Sequence, residues 1–179
     1  GWAAIILWPD SMVQELGGGE RRATNNRMEL LAPIAALEVI QKRRESAPIL
    51  VFSDSTYVIK GITQWSTKWE ANGWPDDLAN RELWMRLRKL HLTLKPQWQY
   101  VPAHAGVPGN ERADEIAVAF SKDYDLSLYE GPKKNYEFDL SQTTGAAGAG
   151  AKPIKPPAKG KAYYLSLLSG KVARHATWS

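Results

Sequence analysis

The chain has 179 residues, a formal net charge of +4, 44% apolar residues and no cysteine, a size that suits one domain with or without a tail. Lack of cysteine excludes disulfide scaffolds, thiolate-bound zinc and thiol nucleophiles, and no apolar run approaches the ~20 residues of a membrane span. The charge is split: residues 1–130 carry 15 Lys and Arg against 17 Asp and Glu, and residues 131–179 carry 8 against 2, an asymmetry found in nucleic-acid-binding tails and in solubilising linkers. No stretch has the order of a secretory signal, so a cytoplasmic protein without membrane contact is expected.

Trp2–Trp8 reads as a strand, followed by a turn at Pro9-Asp10 and a partner arm at Met12–Leu16, or at Glu20–Ala23 beyond three glycines. From Thr24, a natural N-cap, to about Arg44 the apolar stripe has helical period, and Pro33 inside it is expected to kink the helix or remove a hydrogen bond. Ile49–Phe52 is a continuous apolar run, as in a strand covered on both faces. Helices are predicted over Ser55–Trp69, with Gly61 as a possible break, over Glu82–His91 and over Asn110–Ser121, with a strand at Gln97–Val101. Strands alternating with helices predict an α/β fold. Composition then changes, and three regions are expected: a domain over 1–128, a Gly/Ala then Pro/Lys linker over 129–161, and a small incomplete module over 162–179 with two short strands.

Asp54 stands just beyond the buried run, at the carboxyl end of a strand, where α/β folds place ligands. Glu29 lies on the first helix, Asp114 on the last, and His104 in the loop before it. Each has an ordinary alternative: a solvated helix residue for Glu29 and Asp114, a helix cap for Asp54, a plain loop histidine for His104. Together the three carboxylates, with the loop histidine beside them, are expected to converge as a hard-cation site, and oxygen ligands suit Mg²⁺ or Mn²⁺.

Five strings, Thr24–Leu30 (TNNRMEL), Ser53–Val58 (SDSTYV), Gly61–Trp65 (GITQW), Leu83–Leu87 (LWMRL) and His104–Ala117 (HAGVPGNERADEIA), resemble type 1 ribonuclease H in order and spacing over residues 1–122. The resemblance implies a mixed sheet flanked by helices and hydrolysis of the RNA strand of RNA–DNA hybrids by two divalent ions, with Glu29, Asp54 and Asp114 as metal ligands and His104 as a mobile proton-handling residue. It further implies substrate contacts by Asn25 in the minor groove, with Asn26 a further substrate-binding residue, by Arg22, Thr24 and Asn80 on a phosphate, and by Trp65 and Trp69 beside the DNA strand. Trp84 and Trp98 are expected in the core. Tyr164 and Trp178 match aromatic residues of the hybrid-binding module that the family often carries. The implied partner is hybrid nucleic acid, with no protein partner and a monomeric state.

Two departures from the family pattern stand out. The family's first strand, central in its sheet and bearing an Asp that touches both ions, has no counterpart ahead of Gly1, so the chain as it stands is expected to have a gap in its sheet, three of four ligands and little activity, within a longer active parent. The loop after Trp69 carries Glu70, Asp76 and Asp77, where the resemblance to several bacterial members implies a lysine-rich protrusion, and is expected to bind phosphates weakly. A non-catalytic binder of hybrids or duplexes is the alternative, and a DNA nuclease of the same broad fold a further one.

Overall fold

The computed structural model describes residues 1–44, 47–142 and 163–169. Strand β1 (Trp2–Leu7) turns into β2 (Met12–Gly18), and the two pair antiparallel from Trp2↔Gly18 to Leu7↔Val13. The glycine triplet is therefore not a hairpin turn. Gly17 and Gly18 end β2, where a Cβ would run into the Phe120 and Trp2 rings respectively. Helix α1 (Asn25–Arg43) begins on Thr24, whose Oγ1 accepts from the Arg27 amide at 3.3 Å, and ends on Arg44 in the left-handed region. It passes through Pro33 as one element. The cost is the missing amide that would have reached the Glu29 carbonyl one turn earlier.

Strand β3 (Ile49–Ser53) is buried throughout. Helix α2 (Thr56–Lys60) continues through a π-helical turn at Gly61–Trp65 into α3 (Ser66–Ala71). Gly61 is thus not a break but a passage: a Cβ there would overlap the Trp84 ring. Gly61→Ala is expected to destabilise the protein by about 1–3 kcal/mol through overpacking, read as a lowered midpoint in denaturant. Helix α4 (Arg81–Leu94), strand β4 (Gln97–Tyr100) and helix α5 (Pro108–Ser121) follow.

Two segments depart from expectation. Residues 129–142, read as the start of a linker, pack on the domain: β5 (Glu130–Pro132) pairs antiparallel with β2, a 3-10 turn follows at Lys133–Asn135, and Leu140 is buried. Tyr163–Ser169 forms β6, and it lies in the sheet. It pairs antiparallel with β1, from Trp2↔Ser169 to Leu7↔Tyr164, and parallel with β3, from Ile49↔Tyr163 to Ser53↔Leu167. Among the described residues the sheet order is β4-β3-β6-β1-β2-β5. The expected gap between β1 and β3 is therefore filled, by a strand from the far end of the chain. Open β1 and β3 edges would leave two rows of unpaired amides and carbonyls, and any apolar strand of suitable polarity relieves that cost. The sequence YYLSLLS is such a strand.

The sheet separates two cores. Ala4, Ile6, Ile49 and Val51 pack with Leu30, Leu37, Trp84 and Leu87 of α1 and α4. On the other face Ala3, Ile5 and Leu7 pack with Ala113, Ile116 and Ala117 of α5. Glu15, 3% exposed, lies on β2 beside this second core. Arg112 donates to it bidentately, Nε to Oε1 at 2.7 Å and Nη2 to Oε2 at 2.9 Å. The Tyr136 hydroxyl donates to Oε1 at 2.7 Å and the Tyr129 amide to Oε2 at 2.9 Å. One buried carboxylate thus ties β2, α5 and the 129–140 segment together.

Candidate active site

The carboxyl end of β3 delivers Asp54, half-buried, and then Ser55, which is buried. Ser55 is the N-cap of α2: its Oγ accepts from the Val58 amide at 3.1 Å. The same hydroxyl donates to Glu29 Oε2 at 2.5 Å. Glu29 comes from the second turn of α1, half-buried between buried Met28 and Leu30. The resulting link joins Glu29 to the residue that follows Asp54, across the gap between α1 and β3. Asp114 sits half-buried on α5, next to buried Ala113. His104 is exposed in the loop before α5, with φ +53°, and buried Asn110 in the first turn of α5 has an Oδ1 with no hydrogen-bond partner among the described residues.

The donor set of Glu29, Asp54 and Asp114 consists of carboxylate oxygens, the chemistry that Mg²⁺ and Mn²⁺ prefer. The expected convergence is incomplete, however. Among the described residues no three His, Asp or Glu side chains stand close enough to hold a metal ion. Like charges at a few ångströms repel unless a cation lies between them. The strand beside Asp54 adds no compensating group, since β6 has no charged residue.

The substrate-facing candidates gather around the start of α1. Asn25 and Asn26 are exposed in its first turn, Thr24 caps it, and Arg22 precedes it with φ +59°. Asn80 is the residue before α4, in the left-handed region at φ +57°. Arg27 connects these two places. It donates to Glu20 at 2.6 Å and to Glu82 at 2.7 Å, pinning the start of α4 to the start of α1. Sequence alone missed this bridge, because the ion pair to Glu82 spans 55 positions.

The aromatic candidates form a chain. Trp65 is 38% exposed and lies 5.9 Å from Trp69, which lies 5.2 Å from buried Trp84. Trp84 donates its indole N–H to the Tyr57 hydroxyl at 3.2 Å. Trp84 is in the core as expected and Trp98 packs half-buried against it, while Trp65 presents a face to solvent. The expected acidity of the following loop is smaller than the composition suggests. Glu70 pairs with Arg88 at 3.0 Å while staying exposed, as Asp76 and Asp77 are. For Tyr164 the backbone alone is described, in β6, and Trp178 lies outside the described residues.

The family described as RNase H matches residues 1–122. The chain belongs to the ribonuclease H family. Its relatives include "Ribonuclease H" of Cyanothece sp., 43% identical over 125 residues, which cover 68% of this chain and 78% of that protein. "Ribonuclease H" of Brucella anthropi is 45% identical over 121 residues, 65% of this chain and 76% of that protein, and "Ribonuclease HI" of Pseudomonas aeruginosa is 42% identical over 65% and 79%. The crystal structure of LC9-RNase H1, described as a type 1 RNase H with the type 2 active-site motif, superposes with a TM-score of 0.55 over 79% of this chain and 85% of that one. At 22% identity this likeness is one of fold. The ribonuclease H match ends at Ser121-Lys122, so the segment that docks through Tyr129 and Tyr136 lies beyond it. Among the described residues no helix is long and apolar enough to cross a membrane.

Proposed function

We propose that the activity served here is hydrolysis of the RNA strand of RNA–DNA hybrids at the carboxyl end of β3, weak in this chain because the central strand bears no carboxylate, with Glu29, Asp54 and Asp114 as the residues that would hold Mg²⁺ or Mn²⁺. The observation that carries the reading is the hydrogen bond from Ser55, the residue beside Asp54, to Glu29, at the end of a buried parallel strand in a ribonuclease H family member. The chemistry supplied by two bound divalent ions in such sites is activation of a water and neutralisation of charge on the leaving oxygen of an in-line displacement.

The chain's own residues do the rest. The carboxylates bind and space the cations. Asn25 and Asn26 are placed at a helix start to reach the shallow minor groove, where 2′-hydroxyls distinguish RNA from DNA. Thr24, Arg22 and Asn80 offer hydroxyl, guanidinium and amide donors to a phosphate. Trp65 and Trp69 provide an apolar wall for the DNA strand. His104, exposed on its loop, accepts or returns a proton near the leaving group. Attack of water on phosphorus breaks the bond to the 3′ oxygen, leaving a 5′-phosphate and a 3′-hydroxyl.

One observation favours the alternative of a non-catalytic hybrid binder: the described carboxylates do not form a three-ligand cluster. A cleavage assay with Mg²⁺ on hybrid, duplex DNA and duplex RNA separates the readings. Hydrolysis confined to the RNA of the hybrid supports the nuclease, binding without cleavage under any condition supports the alternative, and cleavage of duplex DNA contradicts both.

A further inference from the structure

We propose that Ser55 is a positioning residue for the metal-binding carboxylates, holding Glu29 in the orientation that receives a divalent cation together with Asp54. This deepens the reading of the site as a metal centre and rests on it. Four observations support it. Ser55 is 8% exposed, so its hydroxyl does not exchange its partner freely with water. The hydroxyl makes two bonds with opposite roles, accepting from the Val58 amide at 3.1 Å and donating to Glu29 Oε2 at 2.5 Å. Its single proton is therefore committed to Glu29, because the amide of α2 already occupies a lone pair. Finally, the Ser55 amide donates to Ser53 Oγ at 3.1 Å, which fixes the backbone on both sides of Asp54.

A short hydrogen bond to a carboxylate is charge-assisted and directional. It takes one oxygen of Glu29 and leaves the other, Oε1, available for a cation. Glu29 otherwise has three rotatable bonds and one flank toward solvent. Without the tie, its carboxylate must be ordered at the moment of metal binding, and that entropy weakens affinity. The consequence is a hydroxyl that serves the helix cap and the metal site at once, so the cap bond that starts α2 also orients a ligand on α1.

Mn²⁺ binding by the purified protein, followed by electron paramagnetic resonance or calorimetry, tests this without relying on turnover. Ser55→Gly removes the hydroxyl and costs the cap only a few tenths of a kcal/mol, and Ser55→Thr keeps both bonds. Ser55→Gly is expected to weaken Mn²⁺ binding about tenfold, the usual lower bound for losing an outer partner of a ligand, with a near-unchanged melting temperature, and Ser55→Thr is expected to restore it. A lowered melting temperature with unchanged Mn²⁺ affinity overturns the proposal and leaves Ser55 a helix cap. Glu29→Gln is the control. If it weakens Mn²⁺ binding and Ser55→Gly does not, Ser55 alone is misassigned. If Glu29→Gln has no effect, the metal-site reading itself fails and this proposal with it.

Discussion

Placing a carboxylate at position 168 is expected to raise cleavage of the RNA strand of a hybrid by about 10²–10³-fold, the scale on which a single well-placed charged group acts in an active site. The position follows from register. The parallel β3–β6 ladder ends at Ser53↔Leu167, so Leu168 follows the last paired position of β6 as Asp54 follows that of β3. The antiparallel ladder sets Leu168 opposite Ala3, and Ala3 faces the core formed with α5, the helix that bears Asp114. The family resemblance assigns its fourth carboxylate to a central strand, and here the central strand carries none. Leu168→Asp is accordingly expected to tighten Mn²⁺ binding, because a further hard oxygen donor adds charge beside Asp54. Circular dichroism confirms that the variant keeps its fold before rates are compared.

Loss of Glu15 has the largest expected effect on stability. Burial pushes the pKa of this carboxyl up, but hydrogen bonds from Arg112, Tyr136 and the Tyr129 amide outweigh it and hold the group below its ordinary value of 4.5. Glu15→Ala leaves the largely buried Arg112 guanidinium without its bidentate partner and the Tyr136 hydroxyl without its acceptor. Breaking a buried ion pair by removing one member costs about 3–5 kcal/mol, a large fraction of a marginal total. Urea unfolding of the two proteins measures it. A second consequence concerns pH. Because the folded pKa is depressed, the stabilisation is fully present above 4.5 and is lost as pH falls through the folded value. The urea midpoint of the wild-type protein should therefore fall on acidification below about 4.5, and that of Glu15→Ala should fall less.

Much of the fold follows from local pattern. The continuous apolar run of β3, the helical stripe of α1 with Thr24 at its head, and the strand Trp2–Leu7 are visible in the residues and appear where expected. Glycines were the poorest guides. Gly17 and Gly18 suggested a turn and Gly61 a break, whereas all three make room for the rings of Phe120, Trp2 and Trp84. That requirement depends on what lies across the interface, and no local pattern carries it. Long-range partners were hidden for the same reason. Glu15 and Arg112 are 97 positions apart, and nothing near either residue names the other. The packing of 129–140 was concealed by its charged, proline-containing composition, since its docking rests on the short β5–β2 ladder, the Tyr129 backbone, the Tyr136 hydroxyl and Leu140 rather than on an apolar run. β6 is the plainest case. Its apolar character was legible, but strand pairing is set by which edges remain open, a property of the whole sheet.

Glu29, Asp54, Asp114 and His104 enter the candidate site through the resemblance of their strings, whereas the link through Ser55 was not visible in them. A serine after an aspartate reads as a helix cap, which it is. Its second partner lies on a helix 26 positions earlier.

The central claim is that Asp54 beyond β3, with Glu29 on α1 and Asp114 on α5, serves cleavage of the RNA strand of hybrids. Single-turnover cleavage of an end-labelled hybrid by Leu168→Asp protein, with and without Asp54→Asn and in the presence of Mg²⁺, tests it most directly. RNA-strand products ending in 5′-phosphate and 3′-hydroxyl from Leu168→Asp, abolished by the added Asp54→Asn while hybrid binding persists, are the predicted result. Equal cleavage with and without Asp54, or no cleavage by a folded Leu168→Asp protein that binds hybrid and Mn²⁺, would contradict it.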